Sequence, residues 1–173
     1  MSIIVGCGGG ESDTTEVIGI SQGRWGHTAT LLEDGRVLIV GGQESPSRKL
    51  DTVEIFDPNT ELWSAASSMA EKRGSGHTAT LLEDGRVLVL GENDDASAEI
   101  YDTSTGQWSS AGVMLEARDW PSATLLEDGR VLVAGGADAT KAGLEELTTA
   151  EIYDPSTGDW TETGNMEQVH SGH

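Results

Sequence analysis

The amino-acid sequence predicts an all-β protein built from about three copies of one antiparallel sheet. The segment His27–Leu38 recurs almost unchanged at His77–Leu88 and, with its first residues altered, at Pro121–Leu132. Successive copies begin roughly 45–50 residues apart, a period typical of β-propeller blades. We therefore expect blades at about 24–72, 73–117 and 118–166, with the start of a further blade in the remainder of a domain at 15–173. The ring is expected to be incomplete, because propellers commonly close with four or more blades.

Each copy opens with a strand–turn–strand unit. An alternating polar and apolar run leads into an Asp-Gly pair, and a continuous apolar run follows it. The three pairs are Asp34-Gly35, Asp84-Gly85 and Asp128-Gly129. Asp-Gly between two such runs predicts a tight antiparallel hairpin with a type I′ turn. The apolar runs Val37–Val40, Val87–Leu90 and Val131–Ala134 predict a second strand that is covered on both faces. A blade packed between two other blades meets both conditions.

The second half of each copy carries glycines, an aromatic residue and a tryptophan at fixed places. The glycines that follow the second strand are Gly41, Gly42, Gly91, Gly135 and Gly136. The third strand contains Phe56, Tyr101 or Tyr153, and seven residues later come Trp63, Trp108 and Trp160. A buried tryptophan removes roughly 150–250 Å² from water. We therefore expect these rings to be structural and to anchor each blade to its neighbour.

The landmarks occur in the order of arginine, histidine, glycine doublet, aromatic residue and tryptophan. In this order they resemble the kelch repeat, and the chain is similar in style to bacterial kelch and galactose-oxidase-like propellers. The resemblance covers about Arg24 to Met166. It implies four-stranded blades whose first strand lines a central channel, in rings of six or seven blades, with residues 15–20 as a candidate closing strand. Two departures stand out, Glu92 in place of the second glycine and Pro121 in place of the histidine.

The charge of the chain restricts its partners. It has 30 acidic against 10 basic residues and a net charge of −20. Nucleic acid is not expected as a partner, because binding to phosphates requires clustered basic side chains, and the same charge opposes adsorption to anionic lipid. No apolar run reaches the length of a transmembrane span. Because three blades leave two apolar faces open, the chain by itself is expected to self-associate, which size-exclusion chromatography would show.

The N-terminal segment contains the single cysteine of the chain. Ile4-Val5-Gly6-Cys7 resembles the bacterial lipobox, and residues 8–13 form a glycine-rich, acidic tether. We interpret residues 1–14 as a truncated lipoprotein-signal-like segment with Cys7 as the lipidated residue. This predicts a bacterial envelope or extracellular location, with the periplasm as an alternative. Only six residues precede Cys7, without a basic region; a glycine-rich terminus with an incidental cysteine is the other interpretation.

Catalytic and metal-binding patterns are absent from the sequence. His27 and His77 occupy equivalent places in their blades, which favours a structural role, and the Glu-Asp pairs of the hairpins are interpreted as solvated turns. The copper site of galactose-oxidase-like enzymes cannot be carried over, because Cys7 precedes the blades and both tyrosines fill the third strand. Calcium binding by residues 92–95 has too few defined ligands. We expect no enzyme activity in this chain and no cofactor.

Residues that differ between the copies are the candidates for binding, because shared residues build the blades. They lie in the loops that lead into the first strand and in those that follow the glycines. The candidates are Trp25, Arg48, Lys49, Lys72, Asn93, Asp94, Asp95, Arg118, Trp120 and Lys141. Trp25 and Trp120 form either a stacking surface or plugs of the channel mouth.

These observations predict a non-catalytic binding or scaffolding module for a protein or a carbohydrate. One alternative is a fragment of a galactose-oxidase-like or other sugar-active propeller enzyme, whose active site would lie outside this chain. Another is a structural spacer without a ligand. Downstream sequence with a Tyr/Cys/His copper set would distinguish the enzyme from the binding module.

Overall fold

The computed structural model describes residues 19–93, 95–138, 140 and 145–168, and they form three four-stranded antiparallel sheets. The first blade contains β1 (Thr28–Leu31), β2 (Val37–Val40), β5 (Val53–Asp57) and β6 (Leu62–Ala66). The second contains β7 (Thr78–Leu81), β8 (Val87–Leu90), β9 (Ser97–Asp102) and β10 (Gln107–Val113). The third contains β11 (Ser122–Leu125), β12 (Val131–Ala134), β15 (Ala150–Asp154) and β16 (Asp159–Thr163). The predicted all-β fold of about three blades is confirmed.

Two short hairpins decorate the loops that follow the glycines. β3 (Gln43–Ser45) pairs with β4 (Arg48–Lys49) in the first blade, and β13 (Ala137–Asp138) pairs with β14 (Glu145–Glu146) in the third. Cys7 and residues 15–18 of the predicted closing strand lie outside the described residues. In the ranges that the structure describes, no helix has the length and apolar character needed to cross a membrane.

The strand order assigns the loops to two ends of the blades. Within each blade the four strands follow one another in space in the same order as in the sequence, and every neighbouring pair is antiparallel. The lead-in loops (19–27, 67–77 and 114–121) and the described residues of the doublet loops (41–52, 91–96 and 135–149) therefore lie at one end. We call this end the loop face, and the opposite end with the Asp-Gly hairpins the turn face. The two groups of loops that differ most between copies thus share one face.

The Asp-Gly hairpins are present, but the predicted type I′ turn is wrong. In the first blade, Gly35 N donates to Leu32 O at 3.0 Å, and Leu32 N donates to Arg36 O at 2.8 Å. Only Gly35 has positive φ (+85°), whereas Asp34 does not. This is the pattern of a three-residue loop whose glycine forms a bulge. The preceding leucine takes part in the turn instead of the strand, which lengthens the loop by one residue.

The hydrophobic core lies between the blades. Leu38 and Val40 of the first blade pack against Val87, Val89 and Tyr101 of the second. The second and third blades repeat this packing with a cluster around Leu88, Leu90, Val131, Val133 and Tyr153. All four residues of β8 are buried, because the second blade is covered on both sides. In β12 buried and half-buried residues alternate, because no described residues cover its second face.

A tryptophan side chain bonds to the preceding blade at both junctions between the described blades, whereas Trp63 contacts Phe56 within its own blade. Trp108 Nε1 donates to Ser67 O of the preceding blade at 2.7 Å, and Trp160 Nε1 donates to Ala111 O at 2.8 Å. Each tryptophan also packs on the aromatic residue of its own third strand; the Tyr101–Trp108 ring centroids are 5.1 Å apart. The indole thus contributes both apolar contact and a hydrogen bond between blades.

Trp108→Ala is expected to lower the free energy of unfolding by about 3 kcal/mol, because it removes a packed ring at the first junction. Trp108→Phe keeps most of the contact and loses the N–H donor, at a cost of about 1 kcal/mol. Urea unfolding followed by circular dichroism measures both. Trp25→Ala, at a half-exposed ring, is the control; equal losses for Trp25→Ala and Trp108→Ala would contradict the anchoring role.

Candidate binding face

A buried arginine–glutamate pair fixes the loop face in each blade. The arginine comes from the lead-in loop and the glutamate from the third strand, and both side chains are almost fully buried. The pairs are Arg24–Glu54 at 2.6 Å, Arg73–Glu99 at 3.3 Å and Arg118–Glu151 at 2.9 Å. Charges of this kind are tolerated inside a protein only when they are paired and hydrogen-bonded.

The third blade shows how this clamp works. Arg118 Nη1 donates to Gly135 O and Thr149 O, at 2.9 and 3.0 Å. Glu151 Oε2 accepts from Leu115 N at 2.8 Å. Since Gly135 and Thr149 lie at the two ends of the doublet loop, one guanidinium holds that loop and the lead-in loop together. The same donors and acceptors recur in the first blade.

Arg118 was predicted as a ligand-binding residue, and the structure corrects this. Its side chain is 1% exposed, and its donors are engaged by Glu116, Glu151 and backbone oxygens. The sequence did contain the signal, because a glutamate stands at the same place in each apolar third strand. A charge repeated in a buried strand indicates a structural partner.

The second blade departs from the other two at its lead-in loop. Arg73 and His77 are separated by one residue more than Arg24 and His27. In the first blade this loop forms a β-bridge with the doublet loop, between Trp25 and Gln43, and the third blade has the equivalent bridge. Within the described part of the second blade there is no such bridge. The longer loop leaves room between the two segments.

The side chain of Glu92 fills this room. A Cβ atom on Gly74 would lie 2.8 Å from Glu92 Oε1, so the Glu92 carboxyl group packs directly against residue 74. Glu92 also adopts φ +58°, where the other blades have the glycines Gly42 and Gly136. A non-glycine residue in this conformation costs about 1–2 kcal/mol, and such residues are frequent at functional sites.

The surroundings of Glu92 connect all three blades. Lys49 Nζ of the first blade donates to Glu92 O at 3.1 Å and lies 3.5 Å from Glu92 Oε1. Burial raises the pKa of the Glu92 carboxyl, and the carboxyl of Asp119 in the third blade, within hydrogen-bonding reach, raises it further. Among the described residues Glu92 Oε2 has no hydrogen-bond donor.

A cleft of about 510 Å³ opens beside Glu92 on the loop face. It brings together four of the predicted binding residues, Lys49, Lys72, Asn93 and Asp95. Asn93 is buried and donates its amide to Asp95 Oδ1 at 2.8 Å, whereas its Oδ1 has no donor in the described part of the chain. The cleft therefore combines two lysines, carboxylates and an amide at the junction of the first two blades.

Trp120, like Glu92, has a positive φ at a position where the other blades have a glycine. Its φ is +54°, and the equivalent residues Gly26 and Gly76 have φ +65° and +112°. Its backbone N donates to Gly76 O at 3.0 Å, and its indole covers Gly76, where a Cβ would lie 2.4 Å from Trp120 Cδ1. Trp120 is 40% exposed and Trp25 is 49% exposed. The structure thus brings two accessible indoles to the loop face.

The remaining candidates take other places. Arg48 is exposed and pairs with Glu44 on the β3–β4 hairpin. Asp94 and Lys141 lie outside the described residues. The Glu-Asp pairs of the hairpins are exposed, as predicted, and Asp34 pairs with Arg36 at 2.7 Å; the hydrogen bond from Arg36 lowers the pKa of the Asp34 carboxyl. The turn face therefore carries solvated ion pairs.

His77 has a structural environment. It is buried and neutral at pH 7, because burial lowers its pKa from 6.5 to about 4. Nδ1 lies 2.7 Å from Gly74 O, and Nε2 lies 3.1 Å from both Thr28 Oγ1 and Val40 O. Both ring nitrogens therefore face backbone carbonyl oxygens, and the single N–H of the neutral ring can donate to one of them. His27, in contrast, is exposed. In the described part of the chain, no group of three His, Cys, Asp or Glu side chains is placed to hold a metal ion.

Trp120→Gly is expected to leave the protein about 1 kcal/mol more stable than Trp120→Ala, because only glycine adopts positive φ without strain. Thermal and urea unfolding measure the difference. The same pair of substitutions at Trp25, which does not have positive φ, is the control, and there alanine is expected to be at least as stable as glycine. If the glycine variant were more stable than the alanine variant at both positions, backbone strain at Trp120 would be contradicted.

Comparisons with known proteins agree with this architecture. A sequence profile of the Kelch motif matches residues 34–70 and 128–167, within the first and third blades. An F-box/kelch-repeat protein of Arabidopsis thaliana is 31% identical over 96 residues, which are 55% of this chain and 24% of that protein. A fungal alcohol oxidase of the AA5 family, in complex with copper, has a TM-score of 0.62 at 23% identity, over 78% of this chain and 29% of its own.

The chain thus spans about a quarter of the length of these relatives. At 23% identity, the likeness to the oxidase concerns the fold alone. The Kelch motif matches, the three four-stranded blades and the tryptophans at their junctions lead to one conclusion: the described part of this chain is about three blades of a β-propeller, with Kelch motifs in the first and third blades.

Proposed function

We propose that this chain is a non-catalytic binding or scaffolding module that holds a protein partner on its loop face. The observation that carries the proposal is that the residues free to vary between blades lie together there. Two accessible indoles, Trp25 and Trp120, are on the same face as the cleft beside Glu92. Kelch repeats are consistent with protein binding. A carbohydrate is the second candidate ligand, because accessible indole rings provide amphipathic surfaces beside polar groups.

The alternative is that the chain is part of a galactose-oxidase-like or other sugar-active propeller enzyme. It is favoured by the fold of the copper-containing oxidase. An enzyme of this kind would need a catalytic set from residues that the structure does not describe or from a longer protein. Copper-dependent oxidase activity of the full-length gene product, lost when copper is removed, would favour the enzyme over the binding module.

The proposed function predicts that partner capture depends on the two loop-face indoles. The 173-residue chain, immobilised on beads, is expected to capture a defined set of proteins, or glycans on an array. The double variant Trp25→Ala/Trp120→Ala is expected to lose them by at least tenfold. Glu127→Ala on the turn face is the matched control and is expected to retain them. Capture that is the same for both variants would place binding elsewhere, and no reproducible partner in either screen would favour a structural spacer.

We propose further that Cys7 carries a lipid that anchors the protein to a bacterial envelope. The lipobox-like sequence before Cys7 supports this. Cys7→Ser in the full-length gene is expected to move the protein from the membrane fraction to the soluble fraction. An unchanged distribution between the two fractions would argue against the anchor.

A further inference from the structure

We propose that the cleft beside Glu92 binds a guanidinium or ammonium group, presented by an arginine or lysine side chain of the protein partner. This inference rests on the proposed binding function and specifies the chemistry of the ligand. It starts from two neighbouring acceptors, Glu92 Oε2 and Asn93 Oδ1. Both residues are only 7% exposed, both line the cleft, and neither atom has a donor among the described residues.

Buried acceptors without donors carry a free-energy penalty that a donor-rich ligand removes. A guanidinium has five N–H donors and no acceptor, and an ammonium has three donors. The structure already contains an internal example, because Lys49 Nζ occupies the side of Glu92 that carries Oε1 and the backbone oxygen. Since Oε2 has almost no surface open to solvent, a ligand cation would bind it after the Glu92 carboxyl group turns toward the cleft.

The charges around the cleft favour a cation over an anion. Glu71, Asp95 and Glu92 line the cleft together with Lys49 and Lys72, and the Asp119 carboxyl faces Glu92 from the third blade. Two carboxyl groups at hydrogen-bonding distance repel each other when both are ionised. A cation relieves this repulsion, and the net charge of −20 attracts cations over a longer range.

The sequence of the second blade indicates that the position of the Glu92 carboxylate is not an incidental local variation. Three departures from the repeat occur at one place: the extra residue between Arg73 and His77, the absent side chain at Gly74, and Glu92 at a glycine conformation. Each alone is a local variation. Together they place a carboxylate where the other blades have only backbone, at the cost of strain.

The test uses two peptides of nearly the same shape, acetyl-Gly-Gly-Arg-Gly-Gly-amide and the same peptide with citrulline, whose neutral ureido group replaces the guanidinium. Calorimetric titration of the 173-residue chain at low salt and neutral pH is expected to show at least tenfold tighter binding of the arginine peptide. Glu92→Gln is expected to reduce its affinity to that of the citrulline peptide. Glu146→Gln, which removes the same charge from the loop face of the third blade, is the control and is expected to change affinity by less than twofold.

A second variant tests the site in the opposite direction. Lys49→Met removes the internal cation and is expected to tighten binding of the arginine peptide severalfold, whereas Arg48→Met, with the same change in net charge, is not. Melting temperatures verify that each variant is folded. If Glu92→Gln does not fold, the Lys49→Met and Arg48→Met pair decides the question.

The outcomes separate this inference from the proposed function. Equal affinity for the arginine and citrulline peptides, or equal loss in Glu92→Gln and Glu146→Gln, overturns the cation site. If protein capture still depends on Trp25 and Trp120 in that case, the binding function stands and only the ligand chemistry is wrong. If no partner is captured either, both proposals fail.

Discussion

The buried arginine–glutamate pair of each blade is the interaction on which the loop face depends. A sheet of four short strands determines little about the long loops at its ends. In this protein one guanidinium holds the lead-in loop and both ends of the doublet loop, and the partner carboxylate fixes a backbone N–H three residues before the arginine. Because such a pair is costly to bury without all of its hydrogen bonds, it selects one arrangement of these loops. The binding residues are then free to vary around a fixed frame.

The second blade shows what this frame permits. Its clamp, Arg73–Glu99, is the longest of the three at 3.3 Å, and Arg73 Nε has no hydrogen-bond partner among the described residues. The same blade has the longer lead-in loop and the strained Glu92. The frame tolerates one added residue while the blade interfaces remain packed, since β8 is buried along its whole length. Local departures at the loop face therefore create a cleft without altering the radial stack of blades.

Much of the fold could be predicted from the sequence because the pattern of each strand and turn occurs three times. The hairpins, the apolar second strands and the inter-blade position of Trp108 follow from periodicity and residue type. The turn type did not, because Asp-Gly is compatible with both a two-residue loop and a three-residue loop with a bulge. The candidate site was only partly predictable. Lys49 and Asn93 were found as non-repeating loop residues, but Arg118 was misassigned, since burial of a charge depends on a partner more than thirty residues away.

The most direct test of this account is a double-mutant cycle on the third clamp, with Arg118→Met, Glu151→Leu and the double variant, measured by urea unfolding. We expect each single substitution to lower the free energy of unfolding by about 3–5 kcal/mol, because it leaves one buried charge unpaired. The double variant is expected to lose at least about 2 kcal/mol less than the sum of the two. Additive losses, or single losses below about 1 kcal/mol, would contradict a clamp that holds the loop face together.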